Sequence, residues 1–282
     1  MKGEVFSLDI PGLHIEGLRW RLGPRPILAL HGWMDNAASF CRLAPLLQGY
    51  DIYAIDLAGH GHSGWRAADV RYHLIDYAYD VSQVLHALGW SQCVLLGHSM
   101  GAAVASLLAA AQPDRVAQLI LLEGLGPLTS SPERSLQHLQ DAFSVANQPI
   151  AKVSSLVDWN TVSLRRQQTM GGVTQQAAEC LLQRSLEQVA GGCRWRSDRR
   201  IALSSSQRFT EEQVLNILSG IVASVLLIVA IEGLLLKLPT LTKRQQSIPN
   251  LQRYDLPGSH HLHLELSSVQ AVADTILAYA GG

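Results

Sequence analysis

The chain has 282 residues, 48% apolar and 16% charged, with a formal net charge of −1. So little charge excludes a disordered chain, which is charge-rich and poor in apolar residues. A balance this close to zero excludes the basic surplus of a nucleic-acid binder. The length allows one large domain with a full core, and the apolar share raises the question of a membrane segment.

The first residues carry Glu4 and Asp9 inside any apolar run, with no small-residue cleavage site after them, so they do not read as a secretory signal. Ile27–His31 is a short apolar strand, and Asn36–Leu47 has apolar residues at helical spacing. Asp51–Asp56 alternates like a strand, and Ile75–Leu88 is helical in period. Gln92–Leu96 is another strand, Ser99–Ala111 a small-residue helix, and Gln118–Leu122 a further strand. Strands alternating with helices imply βαβ units around a parallel sheet.

After Pro127 the pattern changes. Residues 127–219 lack convincing strands and read as Gln-, Ser- and Arg-rich helical segments, such as Leu136–Phe143 and Thr174–Val189. Gly171-Gly172 and Gly191-Gly192 punctuate them. Val214–Ile231 is the membrane candidate, but it falls short of the roughly 20 apolar residues of a spanning helix. Asn216, Ser219, Gly220 and Ser224 interrupt it, and its centre, SVLLIVAI, suits a buried parallel strand. Ser224–Ala230 and Asn250–Leu256 are therefore read as strands, and Ser267–Ala280 as a final amphipathic helix. The expected class is α/β. A mostly parallel central sheet has helices on both faces, the core spans residues 1–126 and 220–282, and a helical lid spans 127–219. Cys41, Cys93, Cys180 and Cys193 show no CxxC spacing, so each is expected to be a small buried apolar residue in a reduced, cytoplasmic chain.

Between the strand ending near Leu96 and the helix that follows lies Gly97-His98-Ser99-Met100-Gly101, a G-x-S-x-G. A tight strand-to-helix turn lifts a serine hydroxyl clear of the sheet, and the glycines keep side chains out of its way. The turn also aims the Met100 amide and the helix start at developing negative charge. Bare, the motif also fits a turn without chemistry; strand and helix on either side favour the functional reading.

With LALHGW (28–33), DLAGHGHS (56–63), LLGHSMG (95–101) and GSHHLHLE (258–265) in this order, the sequence resembles the α/β-hydrolase family. The HGWMDNAASF stretch and the GSHHLHLE ending are most similar to its serine hydrolase-like subgroup. The resemblance implies the fold, a helical lid between two late strands, and a Ser-acid-His triad. It implies no substrate.

In that pattern the general base is a His with a Glu five positions later, which is His260 with Glu265; Ser259 stands where a glycine is usual. A metal reading of His260, His261 and His263 lacks a matching carboxylate or Cys cluster. His31, His60 and His62 look structural, and His98 is the variable residue of the elbow. The acid departs from the pattern, because Gly233 stands where the family's Asp is expected. Glu232 lies one residue short of it. Glu123 ends the preceding strand, as a triad Glu does in haloalkane dehalogenases and some relatives. Both preserve the order Ser, acid, His. A carboxylate at the C-terminal end of a parallel strand lies at the catalytic edge, which favours Glu123.

The resemblance assigns the oxyanion donors to the backbone amides of Met100 and Trp33. Phe143, Trp159, Met170 and Trp195 could line the pocket or simply form lid core. The expected function is hydrolysis of small esters through Ser99, His260 and Glu123, with no cofactor or metal, a small-molecule substrate, and neither nucleic acid nor membrane as partner. The alternatives are hydrolysis of a C–C bond in a ring-fission diketone, or a non-catalytic ligand-binding scaffold, which the irregular acid position motivates.

Overall fold

The computed structural model describes residues 2–145, 156–169 and 171–281. The core begins with strands β1 (Glu4–Ile10), β2 (Leu13–Arg21), β3 (Arg25–Leu30) and β4 (Tyr50–Ile55). It continues with α1 (Leu74–Ala87), β5 (Cys93–His98), α2 (Met100–Ala111) and β6 (Val116–Leu122). Then come α3 (Ser135–Ser144), α4 (Trp159–Gln168), α5 (Gln175–Ser185), β7 (Leu186–Val189), β8 (Gly192–Trp195) and α6 (Glu211–Ser219). The chain closes with β9 (Ser224–Ala230), α7 (Leu241–Ser247), β10 (Leu251–Leu256) and α8 (Val269–Gly281).

Eight strands form one sheet in the order β1-β2-β4-β3-β5-β6-β9-β10. Only β2 runs against its neighbours. Successive residues of a strand point to opposite faces, and here both faces are covered. In β6, Leu119 and Leu121 enter the core beneath α1 and α2, while Ile120 and Leu122 enter the core beneath α8. Val225–Ala230 of β9 is fully buried, which is why it reads as an unbroken apolar run. The Val214–Ile231 stretch resolves into the end of α6, a turn and β9. Among the described residues no helix is long and apolar enough to cross a membrane.

Three segments differ from the sequence expectation. Residues 36–47 form two short 3-10 turns, Ala37–Phe40 and Ala44–Leu46, instead of one helix. The Asn36 side chain and Asp56 capture the amides of Ala38 and Ala37, and Pro45 has no amide to offer. The Thr174–Val189 helix stops at Ser185, and its tail pairs with β8 around a turn at Ala190-Gly191. The β1–β2 hairpin at the sheet edge was not anticipated, because its half-exposed strands mix charged and apolar residues.

The segment between β6 and β9 is pinned to the core by buried charge. Arg184 Nε donates to Asp56 Oδ2 at 2.8 Å, and its Nη2 donates to Glu16 Oε1 at 2.9 Å. Asp56 is fully buried, so losing the guanidinium would leave its charge underpaired. Arg184→Met is expected to reduce unfolding free energy in urea by about 3 kcal/mol; an unchanged midpoint would contradict this ion pair's role.

Candidate active site

Ser99 sits between β5 and α2 with φ 52° and ψ −113°, a conformation L-residues rarely adopt. The neighbourhood is too tight for side chains. A Cβ on Gly101 would lie 2.0 Å from the Leu30 carbonyl oxygen, and one on Gly97 would lie 2.5 Å from Ala102 Cα. The Ser99 amide donates to the Leu122 carbonyl at 3.0 Å, tying the turn to β6.

His260 lies in the loop between β10 and α8. Its Nε2 is 3.0 Å from Ser99 Oγ, and its Nδ1 is 3.0 Å from Glu123 Oε2. Glu123 directly follows β6 and also has a positive φ, 51°. Its Oε1 accepts from the Ala230 amide at 2.8 Å, and its Oε2 from the amides of Leu234 (2.8 Å) and Leu235 (3.3 Å). Burial works to raise its pKa, but the hydrogen bonds from His260 and the amides outweigh it and hold the carboxyl below its usual range. Glu232 is exposed, its amide spent on the Gly258 carbonyl. Gly233 is where the two acid positions meet. A Cβ there would lie 2.3 Å from Glu123 Oε2, so the Glu123 carboxylate occupies the space beside the glycine.

The loop after β3 is braced by histidines. His31 Nδ1 donates to the Gly32 carbonyl, and His31 Nε2 accepts from the Leu57 amide. Burial holds His31 neutral, its pKa pushed down to about 3. The Met34 amide is taken by His60 Nε2 at 3.4 Å. No hydrogen bond within the chain engages the Trp33 amide among the described residues. The Met100 amide opens α2, where a helix leaves its first N–H groups unpaired. The Trp33 indole donates to the Ile201 carbonyl at 3.1 Å and is more than half exposed.

Sequence reasoning missed the group behind His260. His98 Nε2 donates to the His260 carbonyl at 3.0 Å. Asp35 pairs with Arg166 and lies 3.3 Å from His261 Nε2, while His261 Nδ1 contacts the Gly171 carbonyl at 2.9 Å. Gly171 itself packs on His260; a Cβ there would lie 2.9 Å from His260 Cβ. His263 bonds Ser39, and Glu265 accepts from the amide and hydroxyl of Thr174. These partners come from distant segments, so no local spacing signals them.

Asp35, His98 and His261 offer three donor atoms within 4.8 Å of one another, the carboxylate that the His260–His263 run lacks in sequence. Arg166 already neutralises Asp35, so the group is a buried ion-pair network bracing the His260 loop. Of the candidate pocket residues, Trp159 and Trp195 pack on a cluster within the inserted segment, Phe143 is exposed, and Met170 lies outside the described residues.

A family model described as the alpha/beta hydrolase fold matches residues 25–152. The chain is similar to a serine hydrolase-like protein of Danio rerio, 30% identical over 96% of this chain and 86% of the relative. It is 31% identical to serine hydrolase-like protein 2 of Homo sapiens, over 97% of this chain and 93% of that one. Among solved structures, a hypothetical protein from Pseudomonas aeruginosa PAO1 superposes with a TM-score of 0.93 at 39% identity, covering 99% and 100% of the two chains. The thioesterase domain from the curacin biosynthetic pathway superposes with a TM-score of 0.83 at 25% identity, covering 98% and 99%.

Proposed function

Because the chain belongs to the α/β-hydrolase superfamily, in its serine hydrolase-like subgroup, and is a hydrolase, we propose that it cleaves small esters through Ser99, His260 and Glu123. One observation carries this reading: the unbroken hydrogen-bonded relay from the Glu123 carboxylate through His260 to Ser99 Oγ. Ser99 Oγ attacks the ester carbonyl while His260 Nε2 takes its proton. Glu123 stabilises the resulting imidazolium. The amides of Met100 and Trp33 hold the oxyanion. His260 then protonates the departing alkoxide, leaving an acyl-enzyme. A water, deprotonated by His260, releases the acid and restores Ser99. The segment 127–219 acts as a lid, with Gly171 against the outer side of His260.

A fluorophosphonate probe is expected to add once, on Ser99, and not to label Ser99→Ala. Absence of labelling, or labelling that survives the substitution, refutes the mechanism. Gly233→Ala tests the acid separately. The added methyl must push the Glu123 carboxylate aside, and displacement of about 1 Å can cost roughly 100-fold. The expected loss is therefore in kcat on a p-nitrophenyl ester, with KM little changed.

A further inference from the structure

Four segments meet at one buried carboxylate: the loop after β3, the elbow, the His260 loop and the inserted segment. Asp35 closes the turn after β3. Its amide donates to the Gly32 carbonyl at 3.1 Å, so Trp33 lies inside that turn. Its Oδ1 pairs with Arg166 of α4. Its Oδ2 lies 3.3 Å from His261 Nε2 and 3.6 Å from His98 Nδ1. Both rings lead back to the reacting groups. His98 directly precedes Ser99 and donates to the His260 carbonyl at 3.0 Å, and His261 directly follows His260. There is little room for another pairing: a Cβ on Gly32 would lie 3.0 Å from His98 Nδ1 and 3.1 Å from Asp35 Oδ2.

Resting on the triad proposed above, we infer that Asp35 and Arg166 are positioning residues for hydrolysis. One half of the ion pair comes from the core and the other from the inserted segment. Together they hold the His260 loop and the Trp33 turn in their reactive places, so the site runs at full rate only with α4 docked. Burial works to raise the Asp35 pKa, and the Arg166 guanidinium, with His261, holds it well below its usual range. Without Arg166 the buried carboxylate must draw in water or take a proton. Either change weakens its hold on His261 and loosens the turn that carries Trp33. A displacement of about 1 Å between reacting groups can cost roughly 100-fold. The alignment matters to the reaction and not to ground-state binding, so the loss falls in kcat.

Arg166→Met is expected to lower kcat on p-nitrophenyl acetate by roughly 10- to 100-fold, with KM little changed. Fluorophosphonate labelling should slow in parallel and still reach one label per chain. Arg166→Lys should recover most of the loss, because the contact is a single one from Nη2 to Oδ1 that an ammonium can supply. The double variant of Asp35→Asn with Arg166→Met should be no worse than the worse single one, because the pair acts as a unit. Arg165→Met, exposed on the same helix, should stay within about 2-fold of wild type. Wild-type kcat and labelling rate in Arg166→Met overturn the inference. So do additive losses in the double variant, or an equal loss in Arg165→Met. Fewer labelled chains with unchanged turnover per labelled chain would mark Arg166 as merely structural, and also overturn it. A wild type that neither labels at Ser99 nor hydrolyses the ester refutes the triad instead. Arg166 is partly exposed on α4, so Arg166→Met decides even where Asp35→Asn does not fold.

Discussion

Ser99→Ala is expected to lower kcat on a short-chain p-nitrophenyl ester by roughly 10⁴- to 10⁶-fold, the range found when a triad nucleophile is removed. The hydroxyl 3.0 Å from His260 Nε2 is the nucleophile of the proposed mechanism, and alanine removes only that oxygen. Alanine meets the same φ of 52° as serine, so the turn is neither relieved nor further strained and the melting temperature should hardly move. What remains after the substitution is the residual assistance of the Met100 and Trp33 amides to attack by water. Hydrolysis that persists at the wild-type rate in a folded Ser99→Ala protein would sink the assignment of the nucleophile.

The second large effect belongs to Glu123. Glu123→Gln is expected to lower kcat by roughly 10²- to 10⁴-fold, and Glu232→Gln to leave it within about 2-fold, the scatter of an exposed substitution. The carboxylate has four hydrogen-bond contacts: His260 Nδ1 and the amides of Ala230, Leu234 and Leu235. An amide side chain brings an NH2 group into a site made of donors, and it supplies no charge to the imidazolium. A large loss in Glu232→Gln with none in Glu123→Gln would move the acid to the other strand. The pH dependence has a definite sign. Glu123 has a folded pKa below its ordinary value of 4.5. Its contribution to stability is therefore present above the unfolded value and is lost as pH falls through the lower folded one. Glu123→Gln should narrow the stability gap to wild type only at pH values below about 4, as followed by urea unfolding across pH.

Much of the core was legible because its strands are buried on both sides. Residues 119–122 feed opposite cores in strict alternation, and every one is apolar. Edge and inserted strands were not legible in this way. β7 continues directly from α5, so helical spacing concealed it, although Gly191 and Gly192 both have positive φ and carry the hairpin signal. Ser99 and His260 could be singled out from their motifs because turn chemistry is local. The choice between Glu123 and Glu232 was harder. It depends on how far each carboxylate reaches across the gap between β6 and β9, which spacing along the chain does not encode. Gly233, read as a position empty of acid, is a glycine beside which the carboxylate of another strand rests. The Asp35, His98, His261 and Arg166 group comes from four separate segments, and only the folded chain assembles it.

The end of β9 and the turn after it steady the Glu123 carboxylate with backbone alone: the amides of Ala230, Leu234 and Leu235, and the missing Cβ of Gly233. Their side chains are released from that duty. Ile231, Glu232 and Leu236 all face solvent. For directed evolution this is useful latitude. A library randomised at these three positions, with Gly233 held fixed, would diversify the exposed surface around the glycine at little risk to the hydrogen bonds that hold Glu123.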